Sequence, residues 1–257
     1  MAVRLPVMQI VTIFANKYCE TDTQGKITHN CAKKQYNMRI TLKTKPNTEP
    51  VPFEYQQKLV GTIHKWIGNN EFHDSISLYS FSWLQGAKRV KSALDFPSGA
   101  SMFISFYNNE VVRAMVRSIL EDPDMFCGLR VIDVMLEPTP DLSSRDLFYC
   151  ASPVFIKRKL PDGSYKHFTY DDPEADKCLM ETLRSKMRAA GLAEDETLDV
   201  HFDTSYSKKR VKLMHYRGVG NKANICPLFI SAKKETKQFA WEVGLGNSTG
   251  IGFGTIY

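Results

Sequence analysis

Near its end the chain reads Val243-Gly244-Leu245-Gly246-Asn247-Ser248-Thr249-Gly250-Ile251-Gly252-Phe253-Gly254, five glycines in the eleven residues counted from Gly244. Lacking a Cβ, glycine lets a backbone take positive φ and come close to another group. A Gly-apolar-Gly pair on either side of a short loop therefore points to main chain held against a ligand, with its N–H groups as donors to phosphate oxygens. The dinucleotide-binding fingerprint does not fit, because after Gly244 and Gly246 it needs a glycine at the position of Thr249 and a helix to follow. No Walker lysine pattern is present either. The plain alternative is a loose hairpin whose glycines only relieve strain, and the rest of the chain decides between the two.

Working outward from that stretch, the preceding segment is strongly basic. Residues 204–237 hold nine cations (Lys208, Lys209, Arg210, Lys212, Arg217, Lys222, Lys233, Lys234 and Lys237) against one acid, Glu235. Residues 171–203 reverse the balance, with ten acids against four bases. A basic block beside a glycine-rich loop suits a polyanion, since phosphate contacts supply most sequence-independent affinity for nucleic acid. A solvated charged face is the commoner meaning of any single run of charge.

The whole chain, at 257 residues, is long enough for two modest domains with real cores. An apolar fraction of 43% and a charged fraction of 24% are those of an ordinary globular protein. The six cysteines (Cys19, Cys31, Cys127, Cys150, Cys178 and Cys226) form no CxxC pair, so neither a zinc site nor a disulfide framework is indicated, and a reducing cytoplasm fits. His201 and Asp203 would share one face of a strand, but no third ligand is in view and no metal or cofactor is implied. At the other end, Arg4 and the apolar run after it faintly resemble a signal peptide. Pro6 and Gln9 interrupt that run, and it is too short to span a bilayer. Residues 1–37 are read as an extension of unknown role, and Met38 could itself be the natural start.

Met38-Arg39-Ile40-Thr41-Leu42-Lys43-Thr44 alternates apolar and polar residues, the mark of a half-buried strand. Tyr55, Leu59, Ile63, Trp66 and Ile67 then recur at helical spacing until Gly68-Asn69-Asn70. Strands at 78–84 and 102–107, joined by a basic loop with Lys88, Arg89 and Lys91, precede a second amphipathic helix carrying Val112, Met115, Val116 and Ile119. A strand at 129–137 completes β-α-β-β-α-β over residues 38–140, the ferredoxin-like pattern. Residues 141–257 echo it more roughly. A hairpin around Pro161-Asp162-Gly163 leads to a helix with Asp172 as N-cap, Pro173 at its first position and Gly191 at its end, then to strands at 198–202, 211–216 and 225–231. The fold class is α+β, two ferredoxin-like modules in tandem, the second irregular and containing the glycine-rich loop.

These residues resemble the CRISPR-associated endoribonucleases that cut precursor repeat RNA, members of the RAMP superfamily. The resemblance rests on Gly244-Leu245-Gly246, five residues, then Gly252-Phe253-Gly254. Pro52-Phe53-Glu54-Tyr55-Gln56 and Leu78-Tyr79-Ser80-Phe81-Ser82 are also similar to the family's segments. The likeness covers residues 38–257. One departure stands out: the five-residue loop Asn247-Ser248-Thr249-Gly250-Ile251 lacks the basic residue the family usually carries there, leaving main-chain donors or Lys233, Lys234 and Lys237 as substitutes.

The resemblance implies metal-independent cleavage, in which a ribose 2′-hydroxyl attacks the adjacent phosphate and leaves a 2′,3′-cyclic phosphate and a 5′-hydroxyl. Such chemistry needs a base and an acid, roles that histidine can fill near neutrality. The family's active positions fall here on His64, at the margin of the first helix's buried stripe, and His73, in the loop after it; His64 is assigned as base and His73 as acid. Gly244, Gly246, Gly252, Gly254, Lys208, Lys209, Arg210 and Lys88 are expected to contact RNA. The implied partner is CRISPR repeat RNA. Docking to other effector subunits and homodimerisation are compatible with it, and no membrane is involved. A non-catalytic RNA-binding subunit on the same scaffold is the alternative.

Overall fold

The computed structural model describes residues 3–4, 38–68 and 76–257, the first two for their backbone alone. In chain order the first half gives β1 (Val3–Arg4), β2 (Met38–Thr44), β3 (Val51–Pro52), α1 (Gln56–Ile67), β4 (Tyr79–Phe81), β5 (Lys88–Val90), β6 (Ala93–Asp95), β7 (Ser101–Phe106), α2 (Asn109–Glu121) and β8 (Val131–Pro138). The main sheet runs β1-β8-β2-β7-β4 and is antiparallel throughout. Leaving β1 aside, that is the 4-1-3-2 order of a ferredoxin-like module. Residues 5–37, the bulk of the expected extension, lie outside the described residues.

The alternation read in β2 is realised, with Ile40 and Leu42 buried on the helix-covered face. In α1, Leu59, Val60, Ile63, Trp66 and Ile67 form the buried stripe, and Gly68 ends the helix at φ 75° with its N–H on His64 O. The Trp66 indole donates to Asp122 O at 2.7 Å, fastening the end of α1 to the end of α2. Asn108 caps α2 by accepting from Glu110 N at 2.8 Å. The basic loop around Lys88 is itself structured, since β5 and β6 form a hairpin that pairs with β3.

The second half gives β9 (Leu147–Phe148), β10 (Val154–Phe155), β11 (Lys157–Lys159), β12 (Tyr165–His167), α3 (Ala175–Ala189), β13 (Asp199–Phe202), β14 (Arg210–Tyr216), β15 (Val219–Ile225), β16 (Leu228–Ser231) and α4 (Lys234–Val243). A sheet β13-β16-β9 is extended by residues 149–151, which pair with 255–257: Tyr149 and Tyr257 exchange N–H···O bonds at 3.0 and 2.9 Å. The order is again 2-3-1-4, so the residues after the glycine-rich loop supply the module's last strand. The β14–β15 hairpin is inserted between the second and third strands of that plan, and it is what makes the module irregular.

Three local expectations are corrected. The helix placed after Asp172 begins at Ala175, because the Asp172 carboxylate instead closes a turn with the N–H and hydroxyl of Thr169. The strand expected over 225–231 is the end of β15 and the whole of β16, divided at Pro227, which has no N–H for the ladder. Helix α4 was not anticipated. Its N-terminus is capped from far away: the buried Asp195 carboxylate accepts from Lys233 N at 2.8 Å and Thr236 Oγ1 at 2.7 Å.

Arg39 joins the modules. Its guanidinium lies between the Phe103 and Trp241 rings, 3.9 and 3.2 Å from their centroids, and donates to Ser105 Oγ, Trp241 O and Ile256 O. Burial pushes its pKa down, while Glu137 and Glu242 oppose that shift.

Candidate active site

The glycines of the terminal stretch are buried and take φ between 69° and 90° at positions 244, 246, 252 and 254. What they approach is protein. A Cβ on Gly244 would lie 2.7 Å from Gly254 O, one on Gly252 would lie 2.9 Å from the Phe81 ring, and those on Gly246 and Gly254 would overlap Phe155 O and Leu245 O. Much of the expected donor set is likewise engaged: Leu245 N bonds Gly254 O at 2.8 Å, Asn247 N bonds Phe155 O at 2.7 Å, and Gly254 N bonds Pro153 O at 2.8 Å. The loop is thus a rigid, self-bonded turn. Of its middle five residues, Ser248 is exposed, Asn247 and Ile251 are half-buried, and Thr249 and Gly250 are covered.

That turn sits against α1 and β4. Gln56, in the first turn of α1, donates to Ile251 O, and the Tyr79 hydroxyl of β4 donates to Gly250 O at 3.1 Å. On the same hydroxyl converges His64, whose Nε2 is 3.3 Å from Tyr79 Oη, so the half-buried histidine of α1 is tied through one tyrosine to the loop. With the phenol proton directed to Gly250 O, the same oxygen can accept a hydrogen bond from an Nε2–H of His64. Burial pushes the Tyr79 hydroxyl up to about 12, so it remains a neutral phenol at any physiological pH. His73 lies outside the described residues, in the segment between Gly68 and Ile76. Lys88 is exposed on β5.

The basic block divides into two parts. Lys208, Lys209 and Arg210 lead into β14, where Lys212 stacks on the Trp83 ring at 4.5 Å while the Trp83 indole donates to Gly252 O at 3.2 Å. Through Trp83, Lys212 of the hairpin therefore adjoins the glycine-rich loop. The lysines of α4 do not join them: Lys234 pairs with Asp141 at 3.1 Å, and the buried Lys237 pairs with Asp146 at 2.5 Å. These two serve the fold and do not replace the missing loop cation. A lysine that sequence reasoning passed over comes closer. Lys186 of α3 is 3% exposed, and its ammonium donates to Val243 O, Gly244 O and Thr249 Oγ1 at 3.0 to 3.2 Å. Desolvation pushes its pKa down to about 7. In the sequence it is merely one of four bases in an acidic segment.

His201 forms an exposed pair with Asp199 at 3.1 Å, and among the described residues no group of three or more His, Cys, Asp or Glu side chains could hold a metal ion. No described helix is long and apolar enough to cross a membrane. The arrangement offers an imidazole for proton transfer, a polar loop edge, and adjoining cations for phosphate.

Residues 137–257 match the family described as CRISPR associated protein Cas6, C-terminal. A Pyrococcus horikoshii protein named as a CRISPR-associated endoribonuclease-like protein, Cas6nc, is 24% identical over 241 residues, covering 85% of this chain and 98% of its own. A Pyrococcus furiosus protein named as a CRISPR-associated endoribonuclease-like protein, Cas6, is 23% identical over 237 residues, with the same shares covered. Among solved structures, a CRISPR associated protein Cas6 superposes with a TM-score of 0.73 at 21% identity, covering 86% of this chain and 98% of its own. A structure described as a RAMP protein binding different RNA substrates gives 0.73 at 19%, over 85% and 98%. At these identities the structural likenesses speak for the fold.

Proposed function

We propose that the chain is a CRISPR-associated RAMP protein of the Cas6 kind, as the match over residues 137–257 and the Pyrococcus relatives support, and that it is an endoribonuclease that cuts CRISPR precursor RNA within its repeats without a metal ion. A 2′-hydroxyl attacks the neighbouring phosphorus, the 2′-O–P bond forms as the P–O5′ bond breaks, and the products carry a 2′,3′-cyclic phosphate and a 5′-hydroxyl. His64 removes the 2′ proton, and His73 gives a proton to the departing 5′-oxygen. Lys208, Lys209, Arg210 and Lys88 attract the backbone by charge. Gly244, Gly246, Gly252 and Gly254 serve RNA through the shape they give the loop.

The observation that carries this reading is the junction of His64, Tyr79 and Gly250, which sets an imidazole beside the glycine-rich loop. The test is incubation of repeat RNA with the protein in EDTA. Wild type should cut at one site per repeat, a substrate with 2′-deoxyribose at that site should stay intact, and His64→Ala should bind but not cut. Cleavage of the deoxy substrate would refute the mechanism. Binding without any cleavage by wild type would leave a non-catalytic guide-RNA subunit as the function.

A further inference from the structure

The sheet of the second module has one covered face and one open face. Val200 and Phe202 of β13, Leu228 and Ile230 of β16 and Phe148 of β9 are buried in the module's core, so the residues alternating with them point the other way. That other face carries rings. His201 lies opposite Phe229 in the β13–β16 register and stacks on it, with centroids 5.3 Å apart and planes 28° apart. Tyr149, two residues beyond the Leu147 that pairs with Phe229, is a diagonal neighbour of that phenylalanine. Tyr257 stands beside Tyr149 on the next strand with centroids 6.0 Å apart, and Tyr206, from the loop after β13, meets the Tyr149 ring edge-on at 6.2 Å.

A lone exposed tyrosine is ordinary surface. These rings form one strip across four strands, and the fold leaves it open: Tyr149 is 37% exposed, Tyr257 48%, and the His201 side chain 47%. At the Tyr206 end the strip runs into cations. Lys209 N bonds Tyr206 O at 3.1 Å, so Lys208, Lys209 and Arg210 follow that ring directly, and none of the three makes an ion pair with a described residue. Asp203, the acid nearest to them in sequence, gives one carboxylate oxygen to the N–H and hydroxyl of Ser205 in its own turn. Ring faces that accept any base, beside cations that attract phosphates, are the two parts of a platform for single-stranded nucleic acid. Other four-stranded sheets that read RNA stack two or three unpaired bases on aromatic residues of the open face. A duplex hides its base faces and could not use the rings.

We propose that this open sheet face is a second RNA-binding surface, separate from the His64 site, on which Tyr149, Tyr257 and Phe229 stack unpaired bases while Lys208, Lys209 and Arg210 hold the phosphates between them. Tyr257 is three residues past Gly254, so its Cα lies within about 11 Å of that glycine's, and one transcript can reach both surfaces. The proposal rests on the repeat-RNA reading for the identity of its ligand, but it does not depend on cleavage.

The full chain is titrated with uncleavable repeat RNA that has 2′-deoxyribose at the cut site and 2-aminopurine in place of one unpaired base at a time. Two or three neighbouring positions should lose most of their fluorescence on binding, as a base does when a ring stacks on it. Tyr149→Leu combined with Tyr257→Leu should restore that fluorescence and weaken binding at least about tenfold. The slope of log affinity against log salt should not change, because no charge is removed. Tyr149→Phe combined with Tyr257→Phe keeps the rings and should bind as wild type does. Lys208→Gln combined with Lys209→Gln should instead reduce the slope by about 1.4, or about 0.7 for each single-strand phosphate contact. Fluorescence retained at every unpaired position, or wild-type RNA affinity in the leucine variant, would overturn the proposal, and the second result would leave the face to a protein partner. Cleavage of all-ribose RNA is scored separately. Wild type that shows the quenching but never cuts sinks the nuclease reading alone. Wild type that cuts, with a leucine variant that binds equally well, sinks the platform alone, and wild type that binds no repeat RNA sinks both.

Discussion

His64 Nε2 lies 3.3 Å from Tyr79 Oη, and the same oxygen bonds the carbonyl of Gly250. A single buried phenol therefore meets both the histidine and the glycine-rich turn. That contact makes it a positioning residue for the proposed base.

Removing that hydroxyl should separate orientation from affinity. In Tyr79→Phe, kcat is expected to fall about tenfold with KM nearly unchanged. The pH–rate profile should move as well, because the imidazole loses a hydrogen-bond partner. Single-turnover cleavage from pH 5 to 9 makes the comparison; a wild-type kcat across that range would dismiss the role.

A methyl group at Gly254 meets Leu245 O in a backbone that already has φ 69°. Strain of about 1–3 kcal/mol and overpacking of similar size predict that Gly254→Ala loses at least about 2 kcal/mol of stability in urea. Gly163→Ala is the control, since Gly163 has φ 85° but no atom within 4 Å of the added Cβ. It should lose only the strain, about 1 kcal/mol.

Arg39→Leu strips the donor from three buried acceptors, two of them carbonyls of the second module. At about 1–3 kcal/mol for each acceptor left unbonded, the loss should exceed about 3 kcal/mol in equilibrium unfolding. A change below about 1 kcal/mol would mean that water replaces the guanidinium at no cost.

Asp195 gives the chain an acid-labile point. Burial alone raises this carboxyl, but the Thr197 and Thr236 hydroxyls and the N–H groups of Lys233 and Thr197 outweigh it and hold the pKa at about 2. Since the folded value lies below the unfolded value of about 3.9, the contribution is fully present above pH 4 and disappears as pH falls through 2. It amounts to about 2 kcal/mol. Urea titrations at pH 6 and pH 3 should show the gap between wild type and Asp195→Asn narrowing at the lower pH.

The same aspartate explains one limit of reading this fold from its sequence. Helix α4 has no local cap: Asp195 lies 38 residues before the Lys233 N–H it receives. Its buried face carries Thr236, Lys237 and Glu242 among the apolar residues, which blurs the helical period. By contrast, β2 and α1 were plain because their apolar residues follow simple alternation and a clean stripe. Within the site, His64 was legible as a marginal helix position and the glycines as points of close approach. Tyr79 and Lys186 were not, because their importance comes from partners 171 and 63 residues away. What the glycines approach was also hidden, since sequence shows where backbones can crowd but not against what.

The backbone hydrogen bonds from Leu245 to Gly254 and from Asn247 to Phe155 bear on the thermodynamics of the proposed RNA complex. The segment is already immobilised when the protein folds, so a guest strand meets a surface with little disorder left to lose. In the proposed complex, the conformational entropy surrendered at this wall falls on the flexible RNA, and substrates whose nucleotides are splayed in advance should gain affinity over those that must first unstack.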